Sequence, residues 1–253
     1  MNTPGVARLH SFRAGRGTRR RLAWTQLRDF LRVRTVVVLV AILVGTGIVT
    51  AGVLWLAGAH GAWFGFVLGA QVAALGCGFA WLVVEQSGAR APLIGAVGED
   101  WSADVLARLG SRWTRIDSIP FGSTLDIDHV LLSTAGVFAV ETKFTASGWT
   151  ESSPAFLRAV GDARWRARKI GFLLARTGKP RVTPMLIIWG PGAPSIPGGY
   201  ELVDGVLVCR GADAERWRAH LEGLPPTTEP AQITEMIDII VDHTQRTETA
   251  NRS

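Results

Sequence analysis

Two long apolar runs constrain the fold of this 253-residue chain more than any other feature. Residues 35–59 form an uncharged run of 25 residues, and residues 63–84 form another of 22. About 20 apolar residues suffice for a helix to cross a bilayer. Only three residues separate the two runs, which leaves room for a tight turn and nothing more. The pattern predicts a two-helix transmembrane hairpin over residues 35–84.

The charge distribution predicts how this hairpin is oriented. Nine of the 27 Lys and Arg residues lie in residues 1–34, against one acidic residue, Asp29, which gives this basic N-terminal arm a net charge of +8. Basic residues flanking a span favour the cytoplasmic side. We therefore expect a multi-pass protein of the cytoplasmic membrane, with the N-terminus and everything after residue 84 in the cytoplasm. From residue 35 onward the net charge is −2, so the positive net charge is a property of the arm and is not evidence that the folded domain is a basic DNA-binding body.

The basic arm has two main interpretations, and a DNA-binding role is a third option. After Arg20, apolar residues at helical spacing predict a helix lying on anionic lipid. Alternatively, the whole arm is a disordered tail that only sets topology. We expect a disordered segment before Arg20 and an interfacial helix after it.

The remaining chain reads as a linker, residues 85–92, a soluble domain, residues 93–224, and a C-terminal helix with a frayed tail, residues 225–253. Apolar periodicity predicts an α/β domain with the order αβββαβ, a mixed central sheet flanked by helices. The predicted helices span residues 99–109, 154–176, 212–221 and 229–247, and the predicted strands span residues 112–119, 125–132, 137–143, 182–189 and 202–209.

A predicted β-hairpin lies at the centre of this domain. The residues 125–132 and 137–143 flank a Gly-containing turn, and both faces of the pair are apolar. If Leu132 faces Val137, Asp128 lies opposite Glu141, on the same face as Lys143. Two buried acids side by side are costly unless a cation lies between them.

The hairpin and its flanking residues resemble the nuclease-related domain (NERD) family. The resemblance covers roughly residues 93–210 and rests on an ordered set of short motifs: Gly98-Glu99, Ile127-Asp128-His129, Gly136-Val137-Phe138, Glu141-Thr142-Lys143 and Gly148. Members of this family look like PD-(D/E)xK nucleases, which implies a restriction-endonuclease-like fold and a phosphodiester substrate.

Hydrolysis of a phosphodiester fits these residues. A divalent ion held by carboxylates activates water and neutralises phosphate, and Mg²⁺ (or Mn²⁺) takes oxygen ligands. Asp128 and Glu141 are the predicted metal-binding acids, with the Thr142 carbonyl as a third ligand. Lys143 is predicted to orient the water and balance charge at the phosphate. The resemblance adds Glu99 as a further acid of the catalytic site.

Simpler interpretations exist for each candidate. Glu141 and Lys143 also fit an ordinary surface ion pair, and Glu99 fits a favourable acid in the first turn of a helix. His129 points to the opposite strand face, as packed histidines do, and stays a secondary candidate for substrate contact. NERD relatives often carry a Gln on the helix after the hairpin; here Arg158 is the candidate that replaces it at the substrate.

Two functions follow from these features. The first is a membrane-anchored, Mg²⁺-dependent nuclease acting on DNA or RNA. The second is a non-catalytic module of the same fold that binds nucleic acid, nucleotide or protein at the membrane. A transporter is disfavoured because neither apolar run contains an ionisable side chain.

Overall fold

The computed structural model of the protein forms two compact units, one of residues 19–93 and one of residues 94–253 together with residues 1–18. The residues that the structure describes are 11–13, 18–30, 34–56, 58, 61–121 and 125–250. His60, in the turn between the predicted spans, and most of the arm before Arg20 lie outside these residues.

Three helices occupy the first part of the chain: α1 (Thr18–Phe30), α2 (Arg34–Leu56) and α3 (Ala62–Gln86). By length and composition, α3 is the one helix of the described residues that is apolar enough to cross a membrane. The described apolar part of α2 is shorter, Val40–Trp55. The two helices contact each other, and Gln71 Nε2 donates to Thr50 Oγ1 at 2.7 Å. A helix thus forms where each apolar run lies, and the two-span hairpin remains a prediction.

The second unit contains a mixed sheet in the order β1-β2-β3-β4-β5-β7-β6. Six of its strands come from residues 114–210. The seventh, β1 (Ser11–Arg13), pairs in parallel with β2 and forms one edge of the sheet, although the arm was expected to be disordered there. The other strands are β2 (Thr114–Phe121), β3 (Leu125–Ser133), β4 (Gly136–Phe144), β5 (Val182–Trp189), β6 (Tyr200–Val203) and β7 (Val206–Arg210). The strands β4, β5 and β7 are parallel, and the other pairs from β2 onward are antiparallel. The predicted mixed sheet is confirmed.

Helices cover both faces of the sheet, as the two apolar faces of the central hairpin predict. Four helices belong here: α4 (Arg90–Leu106), α5 (Pro154–Leu173), α6 (Ala214–Gly223) and α7 (Pro230–Ala250). Val130, Leu132 and Ala139 pack against α5 and α7, whereas Leu131 and Val140 pack against α4 and α6. The C-terminal helix α7 therefore belongs to the core of the folded domain.

The structure departs from the sequence prediction at two elements. The helix α4 begins at Arg90 rather than Glu99, so only residues 87–89 separate it from α3, and the predicted linker is largely helical. The predicted last strand, residues 202–209, is two antiparallel strands joined at Asp204 and Gly205, which both have positive φ. Two successive residues of that conformation make the tight turn typical of a two-residue hairpin.

Candidate active site

Asp128 lies beside the β4 backbone. The predicted register of β3 and β4, with Leu132 opposite Val137, is confirmed. Beyond this ladder, Oδ2 of Asp128 accepts a hydrogen bond from the backbone N–H of Thr142 at 2.7 Å. The carboxylate is 4 % exposed. A charge-assisted bond of this kind holds Asp128 against the peptide that joins Glu141 to Thr142.

Glu141 is completely buried and has two cationic neighbours. Lys143 Nζ lies 2.7 Å from its Oε1, and Arg166 Nε lies 2.8 Å from its Oε2. A buried carboxylate needs such partners, because the interior does not replace the hydration that the charge has lost. Glu141 is therefore not part of a simple surface pair with Lys143, because it is completely buried and Arg166 of α5 contacts its second oxygen.

Asp162 of α5 completes the charged cluster. Its Oδ2 lies 3.5 Å from Lys143 Nζ and 3.9 Å from Arg166 Nη1. With Asp128 and Glu141, the cluster contains three carboxylates and two cations, and it carries a net negative charge. The Lys143 side chain is 26 % exposed and Arg166 is 13 % exposed. Lys143 is thus the cation of the pair that is more accessible to a ligand from solvent.

Arg166 is the site residue that the sequence prediction missed. Arg158, which was predicted to reach the substrate, is exposed nearer the start of α5, and its role remains a prediction. Arg166 lies between Ala163 and Ala167 on α5, and both alanines are buried against the sheet. By helical periodicity, the side chain of Arg166 points partly toward the sheet. The sequence therefore contained an indication that Arg166 approaches the site.

Hydrogen bonds through Ser102 join α4 to the end of β4. Ser102 Oγ accepts from Thr142 Oγ1 at 2.9 Å and from Trp189 Nε1 at 2.8 Å. A Cβ at Gly98 would lie only 3.4 Å from Thr142 Cγ2, which shows how closely helix and strand approach. Glu99 follows Gly98 and lies one turn before Ser102, on the same side of α4. It lies within α4, so the first-turn interpretation is wrong, and its catalytic role remains a prediction.

His129 lies on the other face of the sheet, as predicted, in a separate buried cluster. Its Nδ1 is 2.8 Å from Asp117 Oδ1, and Arg115 Nε is 2.9 Å from the same oxygen. Arg115 also donates to the Ala103 carbonyl of α4. Burial raises the pKa of Asp117, but the hydrogen bond and charge of His129 and the guanidinium of Arg115 outweigh it, so the pKa is lowered overall. His129 is 3 % exposed, and its contact with substrate remains a prediction.

Metal binding at Asp128 and Glu141 remains a prediction. Within the described parts of the chain, no group of three His, Cys, Asp or Glu side chains is arranged to hold a metal ion. The two carboxylates of Asp128 and Glu141 with the Thr142 carbonyl supply oxygen atoms only. Mg²⁺ and Mn²⁺ accept such ligands, and Mg²⁺ keeps several waters, so few protein ligands are required. Both oxygens of the buried Glu141 carboxylate already have a cationic neighbour, Lys143 at Oε1 and Arg166 at Oε2.

A comparison with protein families supports the resemblance seen in the sequence. The family model described as nuclease-related domain (NERD) matches residues 94–186. This segment runs from α4 into β5 and contains every residue of the charged cluster, together with Glu99. Neither the curated proteins nor the solved structures gave a match.

Proposed function

We propose that this chain is a membrane-anchored nuclease of the PD-(D/E)xK type, which hydrolyses phosphodiester bonds of DNA or RNA with Mg²⁺ or Mn²⁺. The observation that carries the proposal is the buried Glu141 carboxylate between Lys143 and Arg166, next to Asp128, in the segment that matches a nuclease-related family. Charged side chains that converge in a buried environment are typical of functional sites.

Four residues of the cluster have a role in this reaction. Asp128, Glu141 and the Thr142 carbonyl would hold the divalent ion, which when bound activates water and offsets phosphate charge. Lys143 has the exposure needed to meet the phosphate or the attacking water, and its ammonium stabilises the charge that develops there. The Arg166 guanidinium holds the Glu141 carboxylate in place from the side of α5. Glu99, one turn from Ser102, is the candidate for an additional acid.

The membrane location is the second part of the proposal. A 25-residue apolar helix, α3, and an apolar run in α2 support two spans joined by a tight turn. The arginine-rich N-terminal arm supports a cytoplasmic N-terminus. A second crossing returns the chain to the cytoplasm, where the domain would meet nucleic acid.

A non-catalytic binding module is the alternative function. The ion pairs of Glu141 with Lys143 and Arg166 favour it, because both oxygens of the carboxylate already face cations. In that case the cluster stabilises the fold, and nucleic acid, nucleotide or protein binds without cleavage.

A cleavage assay on the full chain in nanodiscs separates the two functions. Plasmid, single-stranded DNA and RNA are incubated with Mg²⁺, Mn²⁺ or a chelator. For a nuclease, we expect metal-dependent cleavage that Lys143→Ala and Asp128→Asn abolish. Binding that is independent of metal and of these residues, without cleavage, would support the module.

The matched control is Glu201→Gln, since Glu201 is an exposed acid on β6. This variant should retain full activity. Circular dichroism of Lys143→Ala and Asp128→Asn must show the native fold for loss of cleavage to count.

A further inference from the structure

The outer side of α5 carries an exposed apolar stripe that the fold does not use. Leu157 is 51 % exposed, Trp165 42 % and Phe172 79 %. Together with Gly161 and Arg168, these residues recur at spacings of three and four, so they form one line along the helix. We name this line, from Leu157 to Phe172, the outer stripe.

The opposite side of α5 already supplies the packing that the domain requires. Ala159, Val160, Ala163, Ala167 and Ile170 are buried against the sheet. The outer stripe therefore adds exposed apolar area to a helix whose core contacts are complete. Aligned large apolar side chains on a water-facing helix are typical of an interaction surface.

Basic residues border the outer stripe. Arg158 and Arg168 are exposed, and the Lys169 ammonium lies 4.9 Å from the ring centroid of Trp165. Arg164 pairs with Asp204 at 3.3 Å, and Asp162, on the side toward Glu141, is the only acid on α5. The surface that the stripe presents is thus apolar and cationic together.

We propose that the outer stripe of α5 docks on the surface of an anionic lipid bilayer. Helices that lie in the membrane interface combine Trp, Phe and Leu on one side with Lys and Arg beside them. The aliphatic stems of Arg and Lys extend along apolar surface while their charges reach anionic headgroups. A nucleic-acid backbone would be complementary to the charges but not to Leu157 and Phe172. The chain also carries α3, which is long and apolar enough to span a bilayer.

Docking on lipid leaves the charged cluster accessible. At 3.6 residues per turn, Arg166 lies about 100° around α5 from Trp165 and about 120° from Phe172. The guanidinium of Arg166 faces Glu141 rather than the outer stripe. The inference goes beyond the proposed reaction and does not depend on whether Glu141 binds a metal ion.

The test uses spin labels at two helix glycines of the full chain. A Cβ at Gly161 or at Gly223 meets no atom within 4 Å, and both positions are exposed. Gly161 belongs to the outer stripe, whereas Gly223 ends α6, which packs on the other face of the sheet. Cys77→Ala removes the exposed thiol, and the remaining Cys209 is buried, which raises its thiol pKa and keeps it unreactive. The label is attached at Gly161→Cys or Gly223→Cys.

The labelled chains are placed in nanodiscs of phosphatidylcholine with or without phosphatidylserine. Collisions of each label with lipid-soluble oxygen and with a water-soluble nickel chelate are measured. With phosphatidylserine, we expect the label at position 161 to gain oxygen collisions and lose nickel collisions, while the label at position 223 stays accessible to nickel. Arg168→Glu should lower the docked population at least about fivefold, since each basic residue near an anionic surface contributes about that factor.

Three results would overturn the proposal. One is equal nickel access at positions 161 and 223 on phosphatidylserine. Another is lipid contact at 161 that persists in the double variant Arg168→Glu, Phe172→Ser, since the outer stripe would then not be responsible. The third is shielding of position 161 only by added nucleic acid, or dipolar broadening from a second copy, either of which identifies a different occupant.

Discussion

Arg166 Nε lies 2.8 Å from Oε2 of Glu141, so the helix that follows β4 in the chain supplies a counter-charge to the carboxylate at the end of that strand. Lys143 supplies the second counter-charge, since its Nζ lies 2.7 Å from Oε1 of Glu141. Removing the shared acid takes a close counter-charge from both cations and leaves them the more distant Asp162 carboxylate, at 3.5 Å from Lys143 and 3.9 Å from Arg166. Removing one partner of a buried ion pair is costly because the remaining charge is no longer compensated.

We expect Glu141→Gln to lower the free energy of unfolding by about 3–5 kcal/mol. The measurement is denaturant unfolding of the full chain in nanodiscs, followed by near-ultraviolet circular dichroism. The control Glu201→Gln changes an exposed acid and should stay within about 0.5 kcal/mol of the wild type. A loss for Glu141→Gln no larger than that of the control would mean that the cluster contributes no net stability.

The sequence predicted the part of the site that depends on strand periodicity. The turn between Leu132 and Val137 set the predicted register of β3 and β4, and the alternation of side chains along the strands then placed Asp128 on the same face as Glu141. Arg166 could not be assigned in the same way, since which of several arginines on α5 reaches β4 depends on how helix and sheet pack in three dimensions.

Two errors have different physical origins. The Asp204-Gly205 turn was visible in the sequence, as Asp-Gly between apolar residues is a strong hairpin signal, but the short apolar segments on its two sides, residues 202–203 and 206–209, together have the length of a single strand. The early start of α4 had a weaker signal, since Pro92 suggested a boundary there. Proline is tolerated in the first turn of a helix, and Pro92 lies two residues after Arg90.

The cluster of Asp117 with His129 and Arg115 predicts a pH dependence of stability. The pKa of Asp117 is lowered in the folded state, so near and below its ordinary value the unfolded chain binds more protons at this carboxyl. Its contribution to stability is therefore present above about pH 4 and lost as the pH falls through the folded pKa.

We expect the stability difference between wild type and Asp117→Asn to be largest at neutral pH and to shrink as the pH falls below about 4. Urea unfolding at a series of pH values from neutral to strongly acidic measures this difference. A difference that stays constant over this range would show that the carboxylate charge does not contribute.

The double acceptor role of Ser102 predicts a local loss of stability. Its Oγ accepts hydrogen bonds from the hydroxyl of Thr142 and from the indole N–H of Trp189. In Ser102→Ala both donors lose their acceptor in a region with little water, and we expect a cost of about 1–3 kcal/mol. Thermal unfolding of the full chain measures it, with Ser111→Ala, at an exposed turn position, as the control. A shift no larger than that of Ser111→Ala would mean that water replaces Ser102 as the acceptor.

Arg166 also provides a test of where the divalent ion binds. If the ion is held by Asp128 and Glu141, the guanidinium next to Glu141 repels it, and Arg166→Met should strengthen Mn²⁺ binding. Two charges about 4 Å apart interact by about 4 kcal/mol near a protein surface, so even after screening a gain of at least about tenfold in affinity is expected. Titration calorimetry on the full chain measures this, with Arg158→Met as a control that removes an exposed arginine from the same helix. Equal Mn²⁺ affinities in both variants and the wild type would place the ion away from Glu141, and the charged cluster would then act through the stability of the fold alone.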